Sequence, residues 1–145
     1  MSTRVLGPSV DVELPDVINK VKNDIFYSLN CVQIGNIELY DPLTNSASVS
    51  INFQRKVPIG NPINYPILLS CPVFILSGGA TSVQLPIAKG DQCIVLFNDR
   101  NIDDWWISGE VKVPPNGRAH DIADGLVLVG IRHMKTAKPT SSSTW

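Results

Sequence analysis

Charge is scarce in this 145-residue chain: Asp, Glu, Lys and Arg make up only 17%, against about a quarter in an average soluble domain. That scarcity argues against a disordered chain and against a long solvated helix. Neither sign dominates, since 12 basic and 13 acidic side chains leave a net charge of -1. The total therefore lacks the basic footprint of a nucleic-acid-binding protein. Cysteine is limited to Cys31, Cys71 and Cys93. An odd count with no C-x-x-C pair fits neither a disulfide framework nor a zinc site. The three are read as reduced and mostly buried small hydrophobes. Long apolar runs are missing too. The longest, Tyr65 to Leu69 and Cys71 to Leu76, is broken by Ser70 and Pro72 and falls far short of a bilayer span. The opening MSTRVLGPSVDVELPD holds no apolar run of signal-peptide length. The expectation is a protein made and kept in a cytosol-like compartment, unless a machine carries it out.

Catalytic constellations are equally sparse. His120 and His133 are the only histidines, no G-x-S-x-G occurs, and no cysteine neighbours a histidine in sequence. A nucleophilic triad has nothing to build on. Ser77-Gly78-Gly79 is not followed by G-K-[ST] and is no phosphate loop. His120, Asp121 and Asp124 supply one imidazole and two carboxylates, fewer anchors of fixed spacing than metal motifs bring. The preferred reading is that both acids cap a turn and His120 bonds to backbone. Asp99, Asp103 and Asp104 could suggest the paired carboxylates of glycosidic cleavage. Nothing beside them would raise a carboxyl pKa, so they read as a solvated loop. No catalytic residue, metal or cofactor is expected.

What is present is 43% hydrophobic residues, with 10 glycines and 11 prolines. That is enough apolar material for one buried core, with punctuation for short strands joined by turns. Residues 1–13 read as an extended arm. Pro15 sits where a helix begins, and Val17, Ile18, Val21, Ile25 and Leu29 recur at helical spacing. Lys20, Lys22, Asn23 and Asp24 fall mostly opposite. This amphipathic helix of about four turns either caps a β-domain or docks on another subunit.

Beyond Asn30 the period changes to two. Val32, Ile34, Ile37 and Leu39 alternate with polar residues, and Gly35 suggests a bulge or tight bend. A turn over Tyr40 to Asn45 leads to Ala47, Val49, Ile51 and Phe53, which completes a hairpin. Residues 55–66, with three prolines, read as a loop. Ile67 to Ile75 is a strand that Pro72 places at an edge or bulge. After a turn at Ser77-Gly78-Gly79-Ala80, the residues Val83, Leu85 and Ile87 continue a strand. Lys89-Gly90-Asp91 turns into Cys93, Val95 and Phe97, with Ile94 and Leu96 filling the other face, so this strand reads as buried on both sides. Leu126 to Ile131 is the last strand.

Trp105 and Trp106 are the most informative aromatics. On an OB-type barrel such a pair could stack single-stranded nucleic acid, but Asp103, Asp104 and Glu110 beside them would repel phosphate. The preferred reading puts one tryptophan in the core and the other at an interface. One helix and about five to seven short strands make a mainly β protein, an OB-type small barrel preceded by one amphipathic α-helix. The boundaries read as residues 1–29 for arm and helix, 30–133 for the barrel and 134–145 for a flexible Ser/Thr-rich tail.

Residues 86–131 carry an ordered set of motifs: LPIAKGDQCIVLF, NIDDWWISG and RAHDIADGLVLVGI. Cys71-Pro72-Val73 and Ser77-Gly78-Gly79 precede them. In this order they resemble the N-terminal OB-fold domain of phage baseplate central-spike proteins, the cell-puncturing tips of contractile tails. The resemblance covers about residues 15–133. Its features are a proline followed by a Gly-Asp turn, a strand ending in phenylalanine, and an acidic turn leading to tryptophan and glycine. A His-Asp segment and a glycine-terminated strand follow. The signature positions it picks out are Gly90, Asp91, Trp105, Trp106, Gly109, Arg118, His120, Asp121, Asp124, Gly125 and Gly130, carried over as fold and interface positions only.

The resemblance implies a homotrimer on the tail axis, between a baseplate hub protein above and a membrane-puncturing tip below. The virion component would be assembled in the host cytoplasm, with no nucleic-acid partner and with membrane contact only during tail contraction. Such proteins usually continue into a long trimeric β-helix, whereas about 12 residues follow His133 here. The expectation is a chain without its own needle, acting as an adaptor or as the base for a separate tip protein. The alternative is a stand-alone OB-fold binding module for single-stranded nucleic acid.

Overall fold

The computed structural model describes residues 13–136. All but the last residue of the arm expected over residues 1–13, and most of the expected tail, residues 137–145, lie outside it.

Helix α1 spans Leu14–Ser28, with Pro15 in its first turn and Asp16 favourably placed at its positive end. It leads through three residues into β1 (Val32–Asp41) and β2 (Ser46–Ile51). Short ribbon strands β3 (Gln54–Arg55) and β4 (Ile63–Asn64) follow, then β5 (Leu68–Pro72). A hairpin of β6 (Leu76–Gly78) and β7 (Thr81–Val83) precedes β8 (Gln92–Phe97). Helix α2 (Asp103–Ser108), β9 (Gly125–Val129) and a 3-10 turn at Met134–Thr136 complete the described chain.

The main sheet has the order β5-β2-β1-β8-β9, with antiparallel neighbours. It curls until its two edges meet. Val73, just past β5, bridges Val127 of β9 in parallel, and the Phe74 amide donates to the Val127 carbonyl at 2.8 Å. Curling and closure give the OB-type small barrel expected from the sequence. The inner face holds Ile37, Ala47, Val49, Leu68, Cys71, Val73, Cys93, Val95, Phe97 and Val127. The period-two residues of β1, β2 and β8 supply most of this core, because alternate side chains of a strand point to one face. Pro72 lies on an outer strand of the main sheet, where a missing amide is tolerated.

Several expectations change. Gly35 is not a bulge: β1 runs through it, pairing with both Ile51 and Cys93, while the irregularity falls between Ile37 and Leu39. Gly35 is needed for close approach, since a Cβ there would lie 2.6 Å from the Ser50 carbonyl oxygen and from Val49 Cγ1. The loop over residues 55–66 contains the β3–β4 ribbon, with Arg55 opposite Ile63. The strand expected through Val83, Leu85 and Ile87 ends at Val83. Strand β8 is buried on one side only, because Leu96 on its other face is exposed. Cys31 is exposed, whereas Cys71 and Cys93 are buried, and all three are free.

The largest correction concerns α1. It does not cap the barrel, for none of its residues is buried. The connection Leu29 to Cys31 is fixed instead. The Asn30 side chain donates to the His120 carbonyl at 2.9 Å, and His120 Nδ1 lies 3.1 Å from the Asn30 carbonyl. The Phe97 amide donates to the Cys31 carbonyl at 2.9 Å. The helix is thus rooted on the barrel with its apolar stripe in solvent.

Candidate functional site

The signature residues separate into distinct jobs. Gly90 and Asp91 form the turn before β8. Gly90 has φ +93, a left-handed conformation suited to glycine. Its amide donates to the Ile37 carbonyl, and the Ile37 amide donates to the Asp91 carbonyl, both at 2.8 Å. The Asp91 carboxylate accepts from the Ala88 amide at 2.9 Å. This turn therefore sets the register of β8 against β1. Gly130, at φ +127, ends β9 and donates to the Gln92 carbonyl at 3.2 Å. Gly125 is a close-approach position, where a Cβ would sit 2.9 Å from Val95 Cγ1.

Arg118, Asp124 and Asp103 converge. The fully buried Asp124 carboxylate receives Arg118 Nε at 3.1 Å and Nη2 at 2.7 Å. It also accepts from the Ile102 amide at the head of α2, at 3.2 Å. The second carboxylate, Asp103 Oδ2, lies 3.1 Å from Arg118 Nη2. The bidentate bonds to Asp124, strengthened by Asp103, hold the guanidinium pKa above its already high ordinary value. Two asparagines that the sequence reading did not single out complete this lock. Asn101 Nδ2 donates to Asn116 Oδ1 at 3.1 Å, and Asn116 Oδ1 also accepts from the Arg118 amide at 3.0 Å. Local Asn and Asp hydrogen bonding of this kind could have flagged them.

His120 adopts φ +48 and is committed to the Asn30 clamp, with Nε2 at 3.7 Å from Asp99 Oδ1. The Asp121 carboxylate accepts from the Ala123 amide at 2.8 Å. His120, Asp121 and Asp124 therefore face three different partners, as the turn reading anticipated for His120 and Asp121. Among the described residues no group of three or more His, Cys, Asp or Glu side chains is placed to hold a metal.

Helix α2 carries the tryptophan pair and ends at Gly109, whose φ of +69 closes it through a bond to the Trp105 carbonyl at 2.8 Å. The expectation of one core tryptophan fails: Trp105 is 53% and Trp106 37% exposed. Their rings are 6.4 Å apart and tilted by 39°. Ile107, Val111 and Val113 beside them are also exposed.

A second apolar surface lies on the outside of the barrel. Val32, Leu96 and Leu126 form one lateral row across β1, β8 and β9; Ile34, Ile94 and Leu128 form the next. Each is exposed or only partly buried. With the α1 stripe, the described chain leaves three apolar surfaces at least partly open to solvent. By contrast, its polar clusters are closed on themselves.

No curated protein matches the chain significantly. A family model described as the phage protein Gp138 N-terminal domain matches residues 34–130, which runs from within β1 to just past β9 and includes every signature position. The chain belongs to the family of phage protein Gp138 N-terminal domains.

Proposed function

We propose that this protein is a structural component of the phage tail baseplate, a homotrimeric central-spike or hub protein on the tail axis that supports or connects the membrane-puncturing tip. The observation that carries the reading is the apolar surface left open by a phage-family OB-type barrel. The stripe of α1, the Trp105–Val113 segment and Val32, Ile34 and Leu96 of the outer rows face solvent in a single chain, and Ile94, Leu126 and Leu128 beside them are only partly buried. Burial of such surface between subunits is a strong driving force for assembly. The role is mechanical and needs no reaction centre. Its partners are two further copies, a hub protein above and a spike-tip protein below. Its place is the virion baseplate, with membrane contact only during contraction.

The exposed tryptophan pair is the feature that favours the second reading, a single-stranded nucleic-acid module. Asp103 and Asp104 flank it, and the nearby guanidinium of Arg118 is already paired. Light scattering on a sizing column tests the first reading. The expected mass is about 47 kDa, three times the 15.8 kDa chain. A 16 kDa species at every concentration, with binding to single-stranded DNA that falls steeply with salt, would transfer the assignment to the second.

A further inference from the structure

Within α1, Leu14, Ile18, Val21 and Ile25 follow one another at intervals of four, three and four residues. This is the a/d spacing of a heptad seam. Each of the four is more than half exposed, and no residue of the helix is buried. A free helix of this length is marginal in water without tertiary packing. Its base is nevertheless fixed, through the Asn30–His120 clamp and the bond from the Phe97 amide to Cys31.

We propose that this seam packs against the α1 helices of two further copies of the chain, as a short parallel three-helix bundle on the trimer axis. The proposal rests on the trimeric reading above and names what holds the trimer at its N-terminal end. Three arguments favour a second copy as the occupant. Cyclic symmetry makes three identical helices parallel and in register, so each seam residue meets its own counterpart without further design. β-Branched residues fill three of the four seam positions, Ile18 and Ile25 at one kind and Val21 at the other, with Leu14 the exception, and β-branching at both kinds suits three strands better than two. Lys20, Lys22, Asn23 and Asp24 lie off the seam, as they would on the outside of a bundle. Two heptads are too few for free helices. Three helices rooted on associated barrels meet at a high effective concentration, which compensates for the short seam.

The test uses the full chain with Cys31→Ser, which leaves only the buried thiols of Cys71 and Cys93. Ile18→Cys is placed in the seam and Asn23→Cys on the outer face. Neither side chain is buried, so neither change touches the barrel core. The expected result is a 47 kDa particle in which oxidation of Ile18→Cys gives covalent dimers, several-fold more than Asn23→Cys. Ile25→Asp should lower the association constant at least tenfold with the melting temperature of the monomeric barrel unchanged. A 16 kDa particle at all concentrations would overturn both this proposal and the trimeric reading. A 47 kDa particle with equal cross-linking at both positions, or unaffected by Ile25→Asp, would overturn the bundle alone. Cross-linking of Ile18→Cys to Leu128→Cys of another copy would reassign the helix to the outer sheet face.

Discussion

Arg118 grips Asp124 with two hydrogen bonds, at 3.1 and 2.7 Å, and the gripped carboxylate has no solvent exposure. The pair joins the segment before β9 to the head of α2, because the same carboxylate accepts from the Ile102 amide. Removal of one partner leaves an uncompensated buried charge. Arg118→Met should therefore cost about 3–5 kcal/mol. The double change with Asp124→Leu should cost less than the two single changes added together. Urea unfolding of the four proteins in a double-mutant cycle measures this. Strict additivity would show that the ion pair contributes nothing.

Gly35→Ala should destabilise the barrel by roughly 1–3 kcal/mol or more, as overpacking does. The new Cβ would press on the backbone oxygen of Ser50 as well as on Val49. Gly125→Ala should cost less, since its nearest obstacle is a side-chain methyl of Val95 at 2.9 Å. Thermal melts would rank the two, and the reverse order would contradict the close-approach account of Gly35.

Exposure separates the tryptophans from the core. Trp105→Ala should change the stability of the single chain by about 0.5 kcal/mol or less. Ile37→Ala, at a fully buried position, should cost about 2–5 kcal/mol. Chemical denaturation under conditions that keep the protein monomeric would check both. A large loss for Trp105→Ala would mean that α2 packs more tightly than its exposure indicates.

The thiols should differ in reactivity and make stability fall in alkali. Burial pushes Cys71 and Cys93 up to about 11, while Cys31 is exposed. A thiol reagent at neutral pH should label Cys31 quickly and the other two only on unfolding. The folded-state values lie above those of the unfolded chain, so the stabilising effect is complete below about pH 9. It is lost as pH rises through 11, because the unfolded state then binds fewer protons. The loss should be on the order of 3 kcal/mol per thiol. Replacing both cysteines with valine should flatten unfolding curves recorded between pH 8 and 11.

Much of the fold was legible in sequence because strands announce themselves locally. The alternation of Ala47 with Val49 and of Cys93, Val95 and Phe97 matches the buried face of the sheet. The helix start at Pro15 and the turn at Gly90-Asp91 depend on residues within a few positions of each other. Less was legible where the answer depended on distant chain. Leu96 and Ile94 looked like core, since apolar side chains on both sides of a strand do not reveal whether anything covers the second face. Asn30 gave no signal of its clamp because its partner, His120, is 90 positions away.

The sequence by itself therefore determined the mainly β character, the leading amphipathic helix, the places where the chain turns and the phage-protein resemblance. These follow from backbone sterics, side-chain periodicity and the order of short motifs. Only the tertiary structure decided that α1 stands off the barrel, that both tryptophans face solvent and that Asp124 is closed by Arg118 rather than open to a ligand. Burial belongs to no single segment. It is settled by what other parts of the chain, folded around the same core, leave uncovered.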